Sequence, residues 1–296
     1  MRLAVGIPRD EGGDRQWDVW RYLSRYFPDR HIANSFTGIA HPIFNVMGTV
    51  SGRILVTDPF LQQLRRNYRG LIAADPNKRL AYLDYAQFEP GIMAYLAGDA
   101  GFLSAYNEGD VYEALSDRVF GSGAERSLAK RMFLAFSYGM TTERIATLVV
   151  GSDASDSNRE ACRHAVQAFF DTYPGLAQFR ARMETQLAED GFVASAFGNR
   201  RKRSNAGPLS RKEQRWAVNQ PVQATASLVF KEALIDLAKR FGMQNILLPM
   251  HDAVLMQFDL AEYEEAVGEA QTMMIETFQR RCPTVIPRVV TSPFSG

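Results

Sequence analysis

The sequence has few cysteines, almost no net charge and no long apolar run. Its two cysteines, Cys162 and Cys282, cannot form a disulfide framework and do not have the paired spacing of a metal site. No stretch approaches the roughly 18 apolar residues of a membrane span, and the first residues lack the apolar core of a signal peptide. We therefore expect a soluble protein of a reducing, intracellular compartment.

The near-neutral charge excludes attraction of the whole molecule to a polyanion. Lysine and arginine number 34 against 33 acidic residues, which gives a net charge of +1. Local basic clusters are present at Arg65, Arg66 and Arg69, at residues 200–203, and at Arg211, Lys212 and Arg215. A solvated surface is the ordinary explanation of such clusters unless a neighbouring feature requires phosphate.

The hydrophobic content of 46% is sufficient for a substantial core, in one large domain or two small ones. "RLAYLDYAQF" has the length and composition of a strand, and "NILLPMHDAVLMQF" that of a strand or hairpin. Residues 110–190 between them have helical periodicity. With no repeat or linker visible, the sequence predicts one mixed domain in which a helical block is inserted between strands.

Other segments predict the remaining elements. "RQWDVWRYLSRYF" and "AEYEEAVGEAQTMMIETFQ" have the spacing of amphipathic helices, and "GFVASAFGNRR" alternates like a strand that ends in a basic loop. A long helix should begin near Ser210, because Glu213 three residues later completes a capping box. Pro221 is expected to kink or interrupt it.

Two aspartates lie in apolar strand-like runs: Asp84 in "AYLDYAQFE" and Asp252 in "LLPMHDAVLMQF". A buried carboxylate is costly without a partner. Two of them about 4 Å apart would repel by roughly 4 kcal/mol at an effective dielectric of about 20, and a divalent cation would reverse that sign. Oxygen ligands suit Mg²⁺. Two unrelated aspartates at strand ends remain the alternative at this point.

A helical stripe gives the second functional signal. In "ERSLAKRMFLAFSYGM", Arg126, Lys130, Leu134 and Tyr138 are four residues apart, so a helix presents two cations, an apolar residue and an aromatic ring on one face. This arrangement suits a triphosphate bound by the cations and a base stacked on the apolar part. Gly139 would allow a flat group to approach the backbone.

Together these segments resemble, in collinear order from about His31 to the C-terminal region, the palm and fingers of family A DNA polymerases of the bacterial DNA polymerase I type. The matching strings are "SGRILVTDPFLQ", "DYAQFE" (motif A), "RSLAKRMFLAFSYG" (motif B), "YPGLAQFRARMETQLAEDGFVASAFGNRR", "RWAVNQPVQATAS" and "MHDAV" (motif C). One such string is a weak signal, whereas six in the right order are a strong one. The resemblance implies an α+β fold, with an antiparallel palm sheet and a mostly helical fingers insertion.

The resemblance also implies an organisation. It predicts a single polymerase domain over 1–296: an N-terminal segment and thumb remnant at 1–50, the palm at 51–105 and 206–296, and the fingers at 106–205. The stretch before Asp84 is too short for an exonuclease domain, and that before His31 too short for a full thumb. We expect no proofreading and low processivity, or a partner subunit that supplies the thumb. The expected location is the cytoplasm, in a bacterial or phage-like context, and no association with a membrane is expected.

The implied chemistry is transfer of a deoxynucleotide to a primer 3′ end. By resemblance, Asp84 and Asp252 hold two Mg²⁺ ions, assisted by the backbone carbonyl of Tyr85, and these ions support an in-line phosphoryl transfer. The implied partners are a primer-template and deoxynucleoside triphosphates.

The remaining implied site residues divide between the nucleotide and the DNA. Arg126 and Lys130 match phosphate ligands, Tyr138 the residue at the nascent base pair, and Glu89 the gate against a ribose 2′-hydroxyl. Leu134, Gln87 and Tyr112 match other nucleotide-site positions. The DNA-contact positions are Arg53, Gly139, Arg215, Asn219, Gln223 and His251. For His251, an ordinary strand histidine without a role is an equal alternative.

The chain departs from the family pattern at several positions. Ala253 replaces the usual Glu after the motif C aspartate, and Tyr112 replaces a His used on the triphosphate. The other departures are Ala86 for Ser, Phe88 for Ile, Pro90 for Leu, Gly91 for Arg, Leu134 for Phe or Tyr, and Ala135 and Ala224 for Gly. These changes bear on rate and nucleotide handling.

Two other functions stay open on the sequence. A single-subunit RNA polymerase or primer-making enzyme has a similar set of motifs, and Ala253 and Leu134 favour it, whereas Glu89 and "FGNRR" favour a DNA polymerase. A nucleic-acid-binding subunit without activity would need neither metal ligand, so the presence of both aspartates disfavours it.

Overall fold

The computed structural model describes residues 2–4, 37–39, 41–58, 60–121, 125–151 and 154–294. The amphipathic helix predicted at 15–27 and most of the predicted thumb remnant at 1–50 lie outside these ranges. The strands are β1 (Arg2–Ala4), β2 (Thr37–Ile39), β3 (Ile43–Asn45), β4 (Leu55–Thr57), β5 (Ile72–Ala73), β6 (Lys78–Ala86), β7 (Phe192–Ala194), β8 (Arg200–Lys202), β9 (Ile246–Pro249), β10 (Ala253–Asp259) and β11 (Arg288–Ser292).

Longer helices fill the middle of the chain and its C-terminal part. They are α1 (Phe88–Ala97), α2 (Ala100–Glu108), α3 (Val111–Phe120), α4 (Arg126–Ser137), α5 (Thr142–Val150), α6 (Asp156–Asp171), α7 (Pro174–Asp190), α8 (Arg211–Phe241) and α9 (Tyr263–Arg281). Short 3₁₀ turns occupy Leu61–Gln63, Arg66–Leu71, Met243–Asn245 and Leu260–Glu262.

The chain divides into two compact units. The sheet unit comprises the described residues of Met1–Ala86, Val229–Thr277 and Arg288–Gly296, and the helical unit those of Gln87–Leu228 and Phe278–Pro287. The principal sheet of the first unit is antiparallel, in the order β11-β6-β10-β9. The predicted α+β fold, with an antiparallel sheet and a mostly helical insertion, is thereby confirmed.

The register of the central strands follows from their apolar pattern. Along β6, Ala81, Leu83 and Tyr85 are buried and alternate with partly exposed residues, as expected for a strand with one face on a core. All of β10 except its last residue is buried. Pairing of β6 with β10 sets Ala253 opposite Asp84, and a slip of one residue would turn the alternating side chains of β6 to the wrong face.

In the helical unit, α4 is held by aromatic packing. Its buried residues are Ala129, Met132 and Phe133. The Phe133 ring stacks on Phe102 at 5.7 Å between centroids and meets Phe170 at 5.5 Å. Because the helix buries this side, Arg126 and Lys130 remain at the surface.

The long helix α8 has the predicted capping box and continues through Pro221. Its capping box is present: Glu213 N–H donates to Ser210 Oγ at 3.2 Å, and Ser210 N–H donates to Glu213 Oε2 at 2.8 Å. The break allowed at Pro221 is absent, since α8 runs through it from Arg211 to Phe241. Pro221 lies in a stretch of mostly buried residues.

The segment "GFVASAFGNRR" was predicted as one strand with a basic loop, and this was wrong. It forms a hairpin of β7 and β8, in which Ala194 pairs with Arg200. Ser195 Oγ accepts from the N–H of Phe197 and of Asn199, and Gly198 takes the positive φ of the turn. The basic residues therefore lie on a strand. The sequence also gave no indication of β11, which completes the sheet beside β6.

The packing around Gly91 leaves no space for a side chain. A Cβ at Gly91 would lie 2.7 Å from Tyr106 Oη and 3.1 Å from Phe278 Cζ, so the aromatic rings occupy the space of any side chain.

We predict that Gly91→Ala destabilises the fold by about 1 to 3 kcal/mol through overpacking. The matched control is Gly268→Ala, at an exposed position inside α9 with no atom within 4 Å of the added Cβ. That change should stabilise by about 0.5 to 1 kcal/mol. Urea unfolding of both variants measures the difference; equal effects of the two substitutions would contradict the packing explanation.

Candidate active site

The antiparallel pairing of β6 and β10 brings the two aspartates together. Asp84 pairs with Ala253, and the N–H of Tyr85 donates to the carbonyl oxygen of Asp252 at 3.1 Å. Met250 N–H donates to the Ala253 carbonyl at 2.7 Å and closes the tight turn that carries His251 and Asp252. The two residues are therefore neighbours on adjacent chain segments at one end of the sheet.

The pKa of Tyr82 indicates that the carboxylates of Asp84 and Asp252 both lie near its phenol. The pKa of Tyr82 is raised to about 12, first by burial of the phenol and then by the negative charges of Asp84 and Asp252. Tyr82 precedes Asp84 by two residues on β6, so their side chains leave the same face of the strand.

Arg69 lies beside the Tyr82 phenol, although the sequence assigns it only to a basic cluster with Arg65 and Arg66. The Arg69 guanidinium is 5.7 Å from the centroid of Tyr82 and 5.0 Å from that of Phe294, and it lowers the pKa of Tyr82 against the larger opposing effects. The Arg69 Nε–H also donates to the Leu64 carbonyl at 3.5 Å. Arg65 and Arg66, in contrast, are exposed. The sequence does not distinguish Arg69 from Arg65 and Arg66, and only the folded structure shows that Arg69 lies near an aromatic ring.

The donor set at the aspartates fits a hard divalent cation. Carboxylate oxygens are the ligands that Mg²⁺ prefers, and this ion needs only one or two of them because water and substrate phosphates complete its shell. Among the residues that the structure describes, no group of three or more His, Cys, Asp or Glu could hold a metal. Ala253, in place of a third carboxylate, is fully buried in the sheet. Within the described residues, the carboxylates of Asp84 and Asp252 are therefore the candidate ligands at this end of the sheet.

The cations predicted to bind phosphate lie on α4 of the helical unit. Arg126 donates to Asp110 Oδ2 through Nε at 2.8 Å and Nη2 at 2.6 Å, and its side chain remains 43% exposed. Lys130 is exposed. Asp110 also caps α3, accepting from the N–H of Tyr112 at 2.8 Å. The carboxylate therefore fixes the guanidinium at the start of α4 without covering it.

Tyr112 lies beneath the cations of α4. It is only 2% exposed, with its ring edge-on to Phe133 at 5.7 Å. The cations of Arg126 and Lys130 lie 5.4 and 5.9 Å from its ring centroid. The ring therefore packs against both cations, and its role at a nucleotide stays a prediction.

Gln87 is hydrogen-bonded within the helical unit. Its side chain is buried, its Oε1 accepts from Val111 N–H at 2.9 Å, and its Nε2 donates to the Gly109 carbonyl at 3.5 Å. These bonds hold the loop that leads into α3. The role of Gln87 at a nucleotide stays a prediction.

The structure brings Glu89 and Tyr138 together. The Tyr138 hydroxyl donates to Glu89 Oε2, which joins the first turn of α1 to the C-terminal end of α4. Leu134 is half-buried one turn earlier on α4. Gly139 follows with φ +89°, and a Cβ there would lie 3.2 Å from Arg215 Cγ. Glycine is therefore required by the backbone and by the approach of Arg215.

Three of the predicted DNA-contact residues share one face of α8. Arg215, Asn219 and Gln223 are four residues apart, and Arg215 is exposed. The Asn219 Oδ1 atom is buried and accepts no hydrogen bond within the described part of the chain. Of the other three, Gly139 follows α4, and Arg53 and His251 belong to the sheet unit, where Arg53 is half-buried and His251 is exposed.

Comparison with known proteins identifies the family. The model of DNA polymerase family A matches residues 21–291, so the chain belongs to this family. DNA polymerase I of Pseudomonas aeruginosa is 30% identical over 252 residues, which cover 77% of this chain and 27% of that protein. The thermostable DNA polymerase I of Thermus thermophilus is 30% identical over 273 residues, 85% of this chain and 31% of that protein. The chain thus spans less than a third of the length of these relatives.

A solved structure shows the same fold. The POL domain of Pol1 from M. smegmatis, in complex with DNA primer-template and dNTP, superimposes with a TM-score of 0.75 at 24% identity, covering 94% of this chain and 51% of that one. Family A DNA polymerases generally use divalent metal ions. Within the described residues, no helix combines the length and apolarity needed to cross a membrane.

We predict that Asp84→Asn lowers the pKa of Tyr82 from about 12, because one of the two negative charges that raise it is removed. The pKa should stay above 10, since burial is the largest cause and remains. Ultraviolet titration of tyrosinate, with Tyr82→Phe to identify the signal, measures this shift. The control is Asp259→Asn, at the far end of β10 and 63% exposed. A shift of the same size in the control would contradict convergence of Asp84 on Tyr82.

Proposed function

We propose that this chain is the palm and fingers of a template-directed DNA polymerase that adds deoxynucleotides to a primer 3′ end with two Mg²⁺ ions. The observation that carries the proposal is the pairing of β6 with β10, which makes neighbours of Asp84 and Asp252. Membership of DNA polymerase family A supports the reaction class.

In this proposal the sheet unit supplies the metal ligands. Asp84 and Asp252 would hold the ions, with the backbone carbonyl of Tyr85 as a further ligand. The ions, when bound, supply Lewis-acid stabilisation to the attacking and leaving oxygens of an in-line phosphoryl transfer. The Tyr85 hydroxyl donates to the Met274 carbonyl at 2.7 Å, and its ring is buried, so the backbone at this position is well anchored.

The helical unit would bind the triphosphate. Arg126 and Lys130 could bind phosphate because both side chains remain accessible on α4. The planar Arg126 guanidinium has several N–H donors, so it can hydrogen-bond to Asp110 and to a phosphate at the same time. Asp110 would orient Arg126, and Tyr112 beneath both cations would keep their heads at the surface. Tyr138 and Leu134 would meet the nascent base pair.

Glu89 would act as the gate against ribonucleotides. A carboxylate that excludes a 2′-hydroxyl must be held in one position, and the hydrogen bond from Tyr138 supports that requirement. Arg53, Arg215, Asn219, Gln223 and His251, with the close approach at Gly139, would contact the primer-template.

The division into palm at 51–105 and 206–296, fingers at 106–205 and an N-terminal segment at 1–50 with a thumb remnant remains part of the proposal. So does low processivity, or the need for a partner subunit. Primer extension by the isolated chain with a DNA trap tests this part: long products from single encounters would contradict it.

We predict that Asp84→Ala and Asp252→Ala each reduce primer extension with Mg²⁺ by about a thousandfold or more, because a lost metal ligand weakens charge stabilisation in the transition state. Gel-based extension of a primed template measures this loss. The control Asp259→Ala, on the same strand as Ala253 but exposed, should keep nearly full activity. Activity that survives either substitution would contradict the role of that aspartate as a metal ligand. No primer extension by the wild-type chain would favour the nucleic-acid-binding alternative.

We predict that Glu89→Ala reduces the preference for dNTP over rNTP by about tenfold or more, equivalent to roughly 1.4 kcal/mol. Tyr138→Phe should reduce it less, because the carboxylate stays and only its hydrogen bond is lost. Single-nucleotide incorporation with each nucleotide type measures the ratio. Equal use of both types by the wild-type protein would favour the RNA polymerase or primer-making alternative.

A further inference from the structure

The sheet unit carries an apolar groove. It has a volume of about 740 Å³ and is lined by the segment around β3 and β4, by the C-terminal half of α8 and by β9. Its lining includes Phe44, Val46, Ile54, Ile235, Met243 and Pro249.

The walls of the groove are held in place before any partner binds. Gln62 Nε2 donates to the Ile54 carbonyl at 3.1 Å and to the Pro249 carbonyl at 2.8 Å, while its Oε1 accepts from Val56 N–H at 3.1 Å. One side chain therefore ties the β4 segment to β9. A groove fixed in this way loses little conformational entropy on binding.

Large apolar side chains are exposed along this groove. The exposed fractions are 44% for Phe44, 59% for Val46, 54% for Ile235 and 73% for Met243, and Met47 beside them is 58% exposed. A single exposed apolar residue needs no explanation, but a contiguous group on a concave surface is typical of an interaction site.

The charged residues at the groove indicate the kind of ligand that it would bind. On α8, Lys231, Leu234, Ile235, Ala238 and Lys239 form one stripe, in which two lysines about 12 Å apart enclose three apolar residues. The Lys231 ammonium donates to the Met47 Sδ atom at 3.3 Å, a weak acceptor, and burial lowers the pKa of this lysine. A carboxylate would be a far better partner for that ammonium.

We propose that this groove binds an amphipathic helix of a protein partner, with an apolar stripe seated between β3 and α8 and two carboxylates, about two turns apart, paired with Lys231 and Lys239. The concave shape favours a helix over a flat membrane surface, since an apolar stripe can be enclosed on both sides. The apolar lining disfavours a nucleic acid, whose phosphates would meet only two cations.

The test uses two synthetic helical peptides that differ only in two side chains. Both have a Leu stripe, and they carry either Glu or Lys at two flanking positions about seven residues apart. We expect the Glu peptide to bind the full chain about threefold to tenfold more tightly than the Lys peptide, measured by fluorescence anisotropy. The double variant with Lys231→Glu and Lys239→Glu should reverse this preference.

Apolar contact is tested by Ile235→Glu, which should weaken the Glu peptide about tenfold or more. The matched control is Leu260→Glu, at a position of the same unit that is 59% exposed outside the groove, and it should leave binding unchanged. Urea unfolding checks that each variant remains folded.

Four results would overturn the proposal. They are the absence of saturable binding of the Glu peptide up to about 1 mM, equal affinity for both peptides, binding to anionic phospholipid vesicles that Ile235→Glu abolishes, and self-association of the chain that Ile235→Glu abolishes. The last two would assign the groove to a membrane or to a second copy.

Discussion

The pairing of β6 with β10 is the constraint on which the proposed chemistry depends. Asp84 and Asp252 belong to segments that are far apart in the sequence, and the ladder that sets Ala253 opposite Asp84 makes them neighbours. The ladder is stable because β10 is buried on both faces and β6 on alternate residues. The apolar runs therefore hold two charges in place, at a cost that a divalent cation would offset in the proposed function.

In the helical unit, packing of apolar residues positions cations in a similar way. Phe133 packs against Phe102 and Phe170 on the buried side of α4, and the buried Tyr112 ring lies beneath Arg126 and Lys130. Aromatic packing thus fixes the direction in which the cations face. Such a surface favours phosphate because its positive groups are already positioned, and less entropy is lost when a ligand binds.

The sequence predicted the parts of this structure that depend on pattern and on motif order. The strand with Asp84, the hairpin with Asp252 in its turn, the capping box at Ser210 and the helix with Arg126 follow from periodicity and local chemistry. What it could not predict depends on contacts between distant residues. Gln87 and Tyr112 match nucleotide-site positions by resemblance, and only the folded structure shows that both side chains are buried. Arg69 acquires its aromatic neighbours, one of them Phe294, only in the folded chain.

Binding of Mn²⁺, measured by electron paramagnetic resonance on the protein without DNA, tests the central claim most directly. If Asp84 and Asp252 share the ion, Asp84→Asn and Asp252→Asn should each weaken binding by about tenfold or more, and the double variant should be little weaker than either. Unchanged affinity in the single variants, or losses that add as for two independent sites, would contradict a shared metal site at the end of the β6–β10 ladder.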